Sequence, residues 1–166
     1  MNTTRHVQGK IRNAGFADVP AIFNLIKSNP KELVPRSHSD IIQNVDRFLV
    51  CEYRKKIVGV VSWAILPEIE RAAHPTVEIK SLAVQKSVRK KGFGRILVEA
   101  AIERVRALHP EQILVLTFTP DFFALFGFKR IPKETIMHKL YTGCVNCSKY
   151  DSPFTCPEVA MGLMLR

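Results

Sequence analysis

The chain has 166 residues, of which 46% are hydrophobic and 24% charged, a balance that excludes a disordered or fibrous chain. That length supports one domain with a substantial core and leaves no room for two. The formal net charge of +10 predicts an anionic partner, and charge alone leaves nucleic acid, a membrane face and a phosphorylated cofactor all open.

The start, "MNTTRHVQGKIRNAGF", holds no apolar core of signal-peptide length. The longest apolar run, "IVGVVSWAIL" at 57–66, is far too short to cross a bilayer. The expectation is a soluble, cytoplasmic protein without a membrane partner. "VQGKIRNA" reads as a short strand and "DVPAIFNLIKS" as a helix whose Val19, Ile22, Phe23 and Ile26 share one side, with Asp18 as its N-cap. "NPKELVPRSHSD", with prolines at 30 and 35, is a loop, and "DIIQNV" a second short helix. "RFLVCEY" and "KIVGVVSWAIL" flank only Arg54 and Lys55, which predicts an antiparallel hairpin.

After the connection "PEIERAAHP", the run "TVEIKSLAV" is a third central strand. Residues 92–108 then place Ile96, Leu97, Ala100, Ala101, Val105 and Leu108 at helical spacing. "QILVLTF" is a strand, "PDFFALF" a short helix stopped by Gly127, and "EVAMGLML" a closing strand. No repeat, low-complexity tract or interdomain linker interrupts this order, so residues 1–166 read as one domain ending in a Cys-containing segment at about 133–166.

The densest signal is "SVRKKGFGRIL" at 87–97. A strand that enters a glycine turn and then a helix presents unpaired backbone N–H groups and the positive end of the helix dipole, which together suit a phosphate. Gly92 and Gly94 let the main chain approach an oxyanion without a Cβ in the way. Arg89, Lys90, Lys91 and Arg95 add positive charge around the turn. A G-x-G alone is weak, and a plain helix cap beside a solvated basic face fits it equally well.

"SLAV" followed by "RKKGFG" resembles the acetyl-CoA signature of the GCN5-related N-acetyltransferases (GNAT), R/Q-x-x-G-x-G/A, matched by Arg89, Gly92 and Gly94. The order of elements agrees with that fold over nearly the whole chain. The resemblance implies an α/β (α+β) GNAT fold: a mixed sheet of about six to seven strands flanked by about four helices. It implies acetyl-CoA as co-substrate, with the pyrophosphate on the amides of Lys90, Lys91, Gly92, Phe93, Gly94 and Arg95. Main-chain groups of Leu82, Ala83 and Val84 then line the pantetheine arm. No metal is expected.

A narrower resemblance rests on "ELVPRSHSDI", "VEIKSLAV", "LTFTPDFFALFGF" and "MHKLYTGCVNC", in that order. These are similar to segments of the short, stand-alone N-acetylglutamate synthases, which acetylate the α-amine of L-glutamate in arginine biosynthesis. Longer synthases carry an amino-acid-kinase-like domain with the arginine feedback site, and these 166 residues hold no counterpart of it.

An amine must be neutral to attack a thioester, yet an amino acid's ammonium is mostly protonated at neutral pH, so a carboxylate has to accept a proton. Glu78, four residues before Leu82, resembles the glutamate with that task in the family; the plainer reading is an exposed strand-end residue paired with Lys80. The Leu82 amide, by resemblance, donates to the carbonyl oxygen as it gains charge. Many relatives place a Tyr before the "GF" turn to protonate the thiolate; here that position is Phe123, which has no proton to give. Thr117 aligns with a hydroxyl residue of the synthases.

Glutamate's two carboxylates call for cations of defined geometry. The resemblance gives Arg36, in a proline-fixed loop, the leading part, with Ser81 and Lys139 as further substrate-binding residues; His138 is left unassigned. Cys144, Cys147 and Cys156, with His138 or Asp151, could complete four zinc ligands, but their spacing fits no common zinc module, and packed free thiols or a redox-sensitive pair is the favoured alternative. Two readings stand beside the leading one: the same fold with another amino acid or amine as acceptor, and, more remotely, a basic nucleic-acid-binding module. The second is disfavoured by the absence of any nucleic-acid motif, so no nucleic-acid partner is expected. Self-association into a homodimer is left open.

Overall fold

In a computed structural model the described residues are 8–66, 75–145 and 147–165. Seven strands form one mixed sheet in the order β1-β2-β3-β4-β5-β7-β6, and the main chain forms two compact units. One holds the described residues up to Ser62 together with Ser81–Ala101; the other holds those of Trp63–Lys80 and from Ile102 onward.

In the first unit, β1 (Lys10–Asn13) pairs antiparallel with β2 (Phe48–Tyr53), and β2 with β3 (Lys56–Ile65). The expected hairpin is present. Arg54 and Lys55 both take positive φ, 51° and 62°, the two-residue turn that matches strand twist, built here without glycine. A bulge between Cys51 and Glu52 then shifts the register, so that Cys51 faces Gly59. A Cβ on Gly59 would lie 2.7 Å from Leu97 Cδ1 and 3.3 Å from the Ala83 carbonyl oxygen; glycine is what lets the helix lie so close. α1 (Val19–Lys27) and α2 (His38–Gln43) cover this part of the sheet. Val19, Ile22, Leu25 and Ile26 of α1 join Ile41, Phe48, Val50, Val60 and Ala83 in one core.

Asp18 occupies the N-cap position of α1 but does not cap that helix with its side chain. Its carboxylate instead takes two bonds from the Arg12 guanidinium, at 2.7 and 3.0 Å, and a third from the Gly15 N–H at 2.8 Å. A buried carboxylate needs a cation more than a helix start needs a cap. Arg12 holds the Asp18 carboxyl below its usual range. Ser37 does cap α2, accepting from the Asp40 N–H at 3.1 Å.

β4 (Thr76–Val84) contributes to both units and turns sharply at Ser81, where φ is 54°. α3 (Phe93–Arg106) follows, two residues shorter at its C-terminus than its spacing predicts, and buries Leu97, Val98, Ala101 and Val105 along one side. In the second unit β5 (Gln112–Thr117) lies parallel to the start of β4, Glu78 opposite Leu114, and antiparallel to β7 (Val159–Met164). α4 (Pro120–Ala124) ends at Gly127, whose φ of 89° suits the stop expected there.

Two features of this unit have no sequence signal. β6 is only Lys129–Arg130, paired with β7. A helical strap then runs from a 3-10 turn at Lys133–Ile136 through α5 (Met137–Lys139) into a π turn at Leu140–Cys144, making five α-helices among the described residues where about four are expected. Ile136 and Leu140 of the strap pack with Leu66, Leu114 and Ala160 into a second core. Residues 1–7 and most of the connection "PEIERAAHP" lie outside the described residues.

Candidate active site

The glycine turn is built as its sequence suggests. After a 3-10 turn at Lys86–Val88, Lys90 and Gly92 both take positive φ, 62° and 93°. The Gly92 carbonyl accepts the Ile96 N–H at 3.2 Å, which makes Gly92 the last residue before the helix and leaves the N–H groups of Phe93, Gly94 and Arg95 without intrahelical acceptors. Phe93 is 3% exposed and its ring lies 5.1 Å from that of Tyr53, so its side chain anchors the turn and only its amide is offered outward.

The four cations of the motif divide. Lys90 and Lys91 are exposed. Arg95 pairs with Glu99 one helical turn on, at 2.9 Å. Arg89, by contrast, is spent on the fold: its Nε donates to the Val84 carbonyl at 3.1 Å and its Nη2 to Asn29 Oδ1. Asn29, buried at the end of α1, in turn donates to the Leu25 carbonyl at 2.7 Å. Arg89 thus ties the end of β4 to α1, and Asn29 is the partner that sequence reasoning missed.

Arg36 sits just before α2 with its side chain 13% exposed. Asp40 holds its Nε at 2.6 Å, and its Nη1 reaches Ser62 Oγ at 3.3 Å and Ser81 Oγ at 3.5 Å. The guanidinium lies over the Phe48 ring, 5.1 Å from the centroid. Two of the expected substrate-binding residues, Arg36 and Ser81, are therefore brought together. Ser62, a lone hydroxyl in the apolar run "VVSWAI", joins them; its polarity in that run is the signal that could have found it.

In the second unit Glu78 is 4% exposed, so it is no surface residue. It stands in register with Leu114, and its Oε2 lies 2.7 Å from the Lys139 ammonium, both side chains less than a tenth exposed. Oε2 has no other partner; the approach is an ion pair rather than a well-directed hydrogen bond. Lys139, expected to meet a substrate carboxylate, has a protein carboxylate instead. Thr117 is buried at the end of β5 and its hydroxyl accepts the Thr119 N–H at 2.9 Å, holding the turn into α4. Phe123 packs edge-on against Phe122 and Phe128, confirming an aromatic without a proton at that position.

Glu158, one residue before β7, has no sequence signal. Burial pushes its carboxyl up from the ordinary value; the Cys156 thiol, 3.7 Å away, and the charges of Lys139 and Lys149 oppose that, while the Glu78 charge adds to it. Lys133 fastens the neighbouring loop by donating to the Pro153 and Cys156 carbonyls at 2.9 and 2.6 Å. The four cysteines are free. Burial pushes the Cys51 thiol up to about 11 and raises those of Cys144 and Cys156. Among the described residues no three His, Cys, Asp or Glu side chains are grouped to hold a metal, and no helix is long and apolar enough to cross a membrane.

A glycine turn leading from a bent central strand into a long helix defines a class, and comparison with known proteins gives the same one. Residues 19–128 match the Acetyltransferase (GNAT) family, and the chain belongs to it. An uncharacterised N-acetyltransferase of Chlorobaculum tepidum is 33% identical over 153 residues, 91% of this chain and 93% of that protein. The amino-acid acetyltransferase of Mycobacterium tuberculosis is 28% identical over 149 residues, 85% of this chain and 79% of the relative. With the amino-acid acetyltransferase of Vibrio atlanticus the identity is 29%, over 76% of this chain but only 28% of that longer protein. Among solved structures, a Mycobacterium tuberculosis protein in complex with CoA superposes with a TM-score of 0.77 at 25% identity, covering 95% of this chain and 99% of that one. The N-acetylglutamate synthase of Neisseria gonorrhoeae, complexed with coenzyme A and N-acetyl-glutamate, gives 0.77 at 20%, covering 98% and 36%; at that identity the likeness is one of fold.

Proposed function

We propose that this acetyltransferase moves the acetyl group of acetyl-CoA to the α-amine of L-glutamate. The glycine turn offers its amides to the pyrophosphate. The amine attacks the thioester carbonyl, the Leu82 N–H receives the developing oxyanion, and Glu78 takes the proton that the amine sheds. Collapse of the tetrahedral species breaks the C–S bond and releases CoA as its thiolate. With Phe123 unable to donate, the Thr117 hydroxyl, which accepts the Thr119 N–H and keeps its own O–H as a donor, can hydrogen-bond that thiolate, and water protonates it, which a thiol of ordinary pKa near 8.5 tolerates.

The observation that carries the choice of acceptor is Arg36: a guanidinium largely withdrawn from solvent, held at Nε by Asp40 and at Nη1 by Ser62 and Ser81, and laid on Phe48. A cation fixed at those two nitrogens has its Nη2 donors to offer a carboxylate. The amino-acid acetyltransferases among the relatives support an amino acid as the acceptor. The test is thiol release from acetyl-CoA with a panel of glutamate, glutamine, aspartate, leucine, lysine and a polyamine. Glutamate should give the highest kcat/KM; a preference for any other amine would keep the acetyltransferase and replace its acceptor. Glu78→Gln should lower kcat roughly 10²-fold or more at neutral pH, less as the pH rises and the amine loses its proton unaided.

A further inference from the structure

Lys139 is the only buried lysine among the described residues, and its surroundings explain a second oddity, a glycine within a helical turn. The strap changes from α5 to a π turn at Leu140–Cys144, closed by the Val145 N–H on the Leu140 carbonyl at 3.0 Å. Such turns put one extra residue into the helix and are frequent where a side chain must be re-aimed. Gly143 lies inside it. Its backbone is not in the left-handed region, which among the glycines holds only Gly92 and Gly127, so no dihedral angle demands glycine, and alanine is the better helix former. Space demands it: a Cβ on Gly143 would sit 2.7 Å from Lys139 Nζ, 3.4 Å from Cε and 3.6 Å from Cδ. The lysine stem lies across the bare Cα of Gly143 and ends 2.7 Å from Glu78 Oε2.

We propose that Lys139 is a positioning residue for Glu78 and that Gly143 is the residue that seats it. The ammonium occupies Oε2, fixes the carboxylate in one orientation over the Leu114 side of the sheet, and leaves Oε1 as the atom that takes a proton. A carboxylate turned by an ångström loses much of its effect on a bound reactant. This inference rests on Glu78 being the proton acceptor.

The experiment is steady-state kinetics with acetyl-CoA and L-glutamate, or whichever amine of the panel is turned over, for Gly143→Ala, Lys139→Met, the double variant and Glu78→Gln. Because the atom that alanine would strike is the far end of a flexible side chain, Gly143→Ala should fold and simply move the ammonium. Gly143→Ala and Lys139→Met should each lower kcat roughly 10- to 100-fold with KM for the acceptor nearly unchanged. Adding Gly143→Ala to Lys139→Met should cost nothing further, since the glycine acts only through the lysine. A raised KM with wild-type kcat in Lys139→Met would make the lysine an acceptor contact and overturn the proposal, as would wild-type kcat in Gly143→Ala or additive losses in the double variant. Should Lys139→Met fail to fold, because it strands the buried Glu78 carboxylate, the kcat of Gly143→Ala decides alone. Glu78→Gln separates the two levels: full activity there removes the reading of Glu78, whereas a loss there beside wild-type kcat in both other variants removes only the positioning role.

Discussion

Replacing Gly92 with valine sets the conformation of the glycine turn against its ligand. At φ 93° Gly92 stands where an L-residue pays roughly 1–2 kcal/mol, and a β-branched one at least the upper figure. That strain, about 2 kcal/mol, has two outlets. If the loop keeps its shape, the folded state loses about 2 kcal/mol of stability, readable as a lower denaturation midpoint at unchanged slope. If the loop relaxes instead, the amides that follow Gly92 turn away, and coenzyme A loses up to the same amount, roughly 30-fold in affinity. Calorimetric titration with coenzyme A and urea denaturation, run on one preparation, measure both, and their losses should sum to about 2 kcal/mol. The neighbouring Lys90→Gly is the control: at φ 62° lysine already bears strain that glycine removes, so stability should hold or rise while affinity falls by no more than one surface cation's share. A folded Gly92→Val protein with both quantities unchanged would refute the dihedral argument.

Arg36→Ala should raise KM for glutamate roughly 30-fold to several thousand-fold, the usual cost of stranding one partner of a desolvated pair, with Arg36→Lys recovering only part; unchanged kcat/KM for glutamate, glutamine and aspartate would leave Arg36 as scaffold for α2. Asp18→Asn should cost about 1–3 kcal/mol in urea denaturation at pH 7, since it weakens a two-pronged charged contact. The Asp18 pKa is lowered in the folded state, so its contribution is present above the ordinary carboxyl value and fades as the pH falls below about 4; wild type and variant should converge there. Glu158 has the opposite sign. Its folded pKa is raised, so stability is fullest below the ordinary glutamate value and declines as the pH climbs through the folded one, and Glu158→Gln should flatten that decline in thermal melting above the ordinary glutamate value.

The sequence by itself determined the elements whose cause is local. Apolar spacing placed α1 and α3, and the two polar residues Arg54 and Lys55 between apolar runs placed the hairpin. Gly92 and Gly94 between a strand and a helix marked the turn, since glycine at such a junction is a statement about backbone geometry that needs no knowledge of distant residues. Arg36 was singled out by the resemblance of its proline-fixed loop to the synthases. What only the tertiary structure decided is who meets whom across the chain. Arg89 reads as a phosphate cation but finds Asn29, sixty positions away; Lys139 reads as a substrate contact but finds Glu78. Charge pairing in a buried site follows from the strands that the sheet aligns and the strap that closes over them. β6, two residues long, exists only because β7 is there to pair with it.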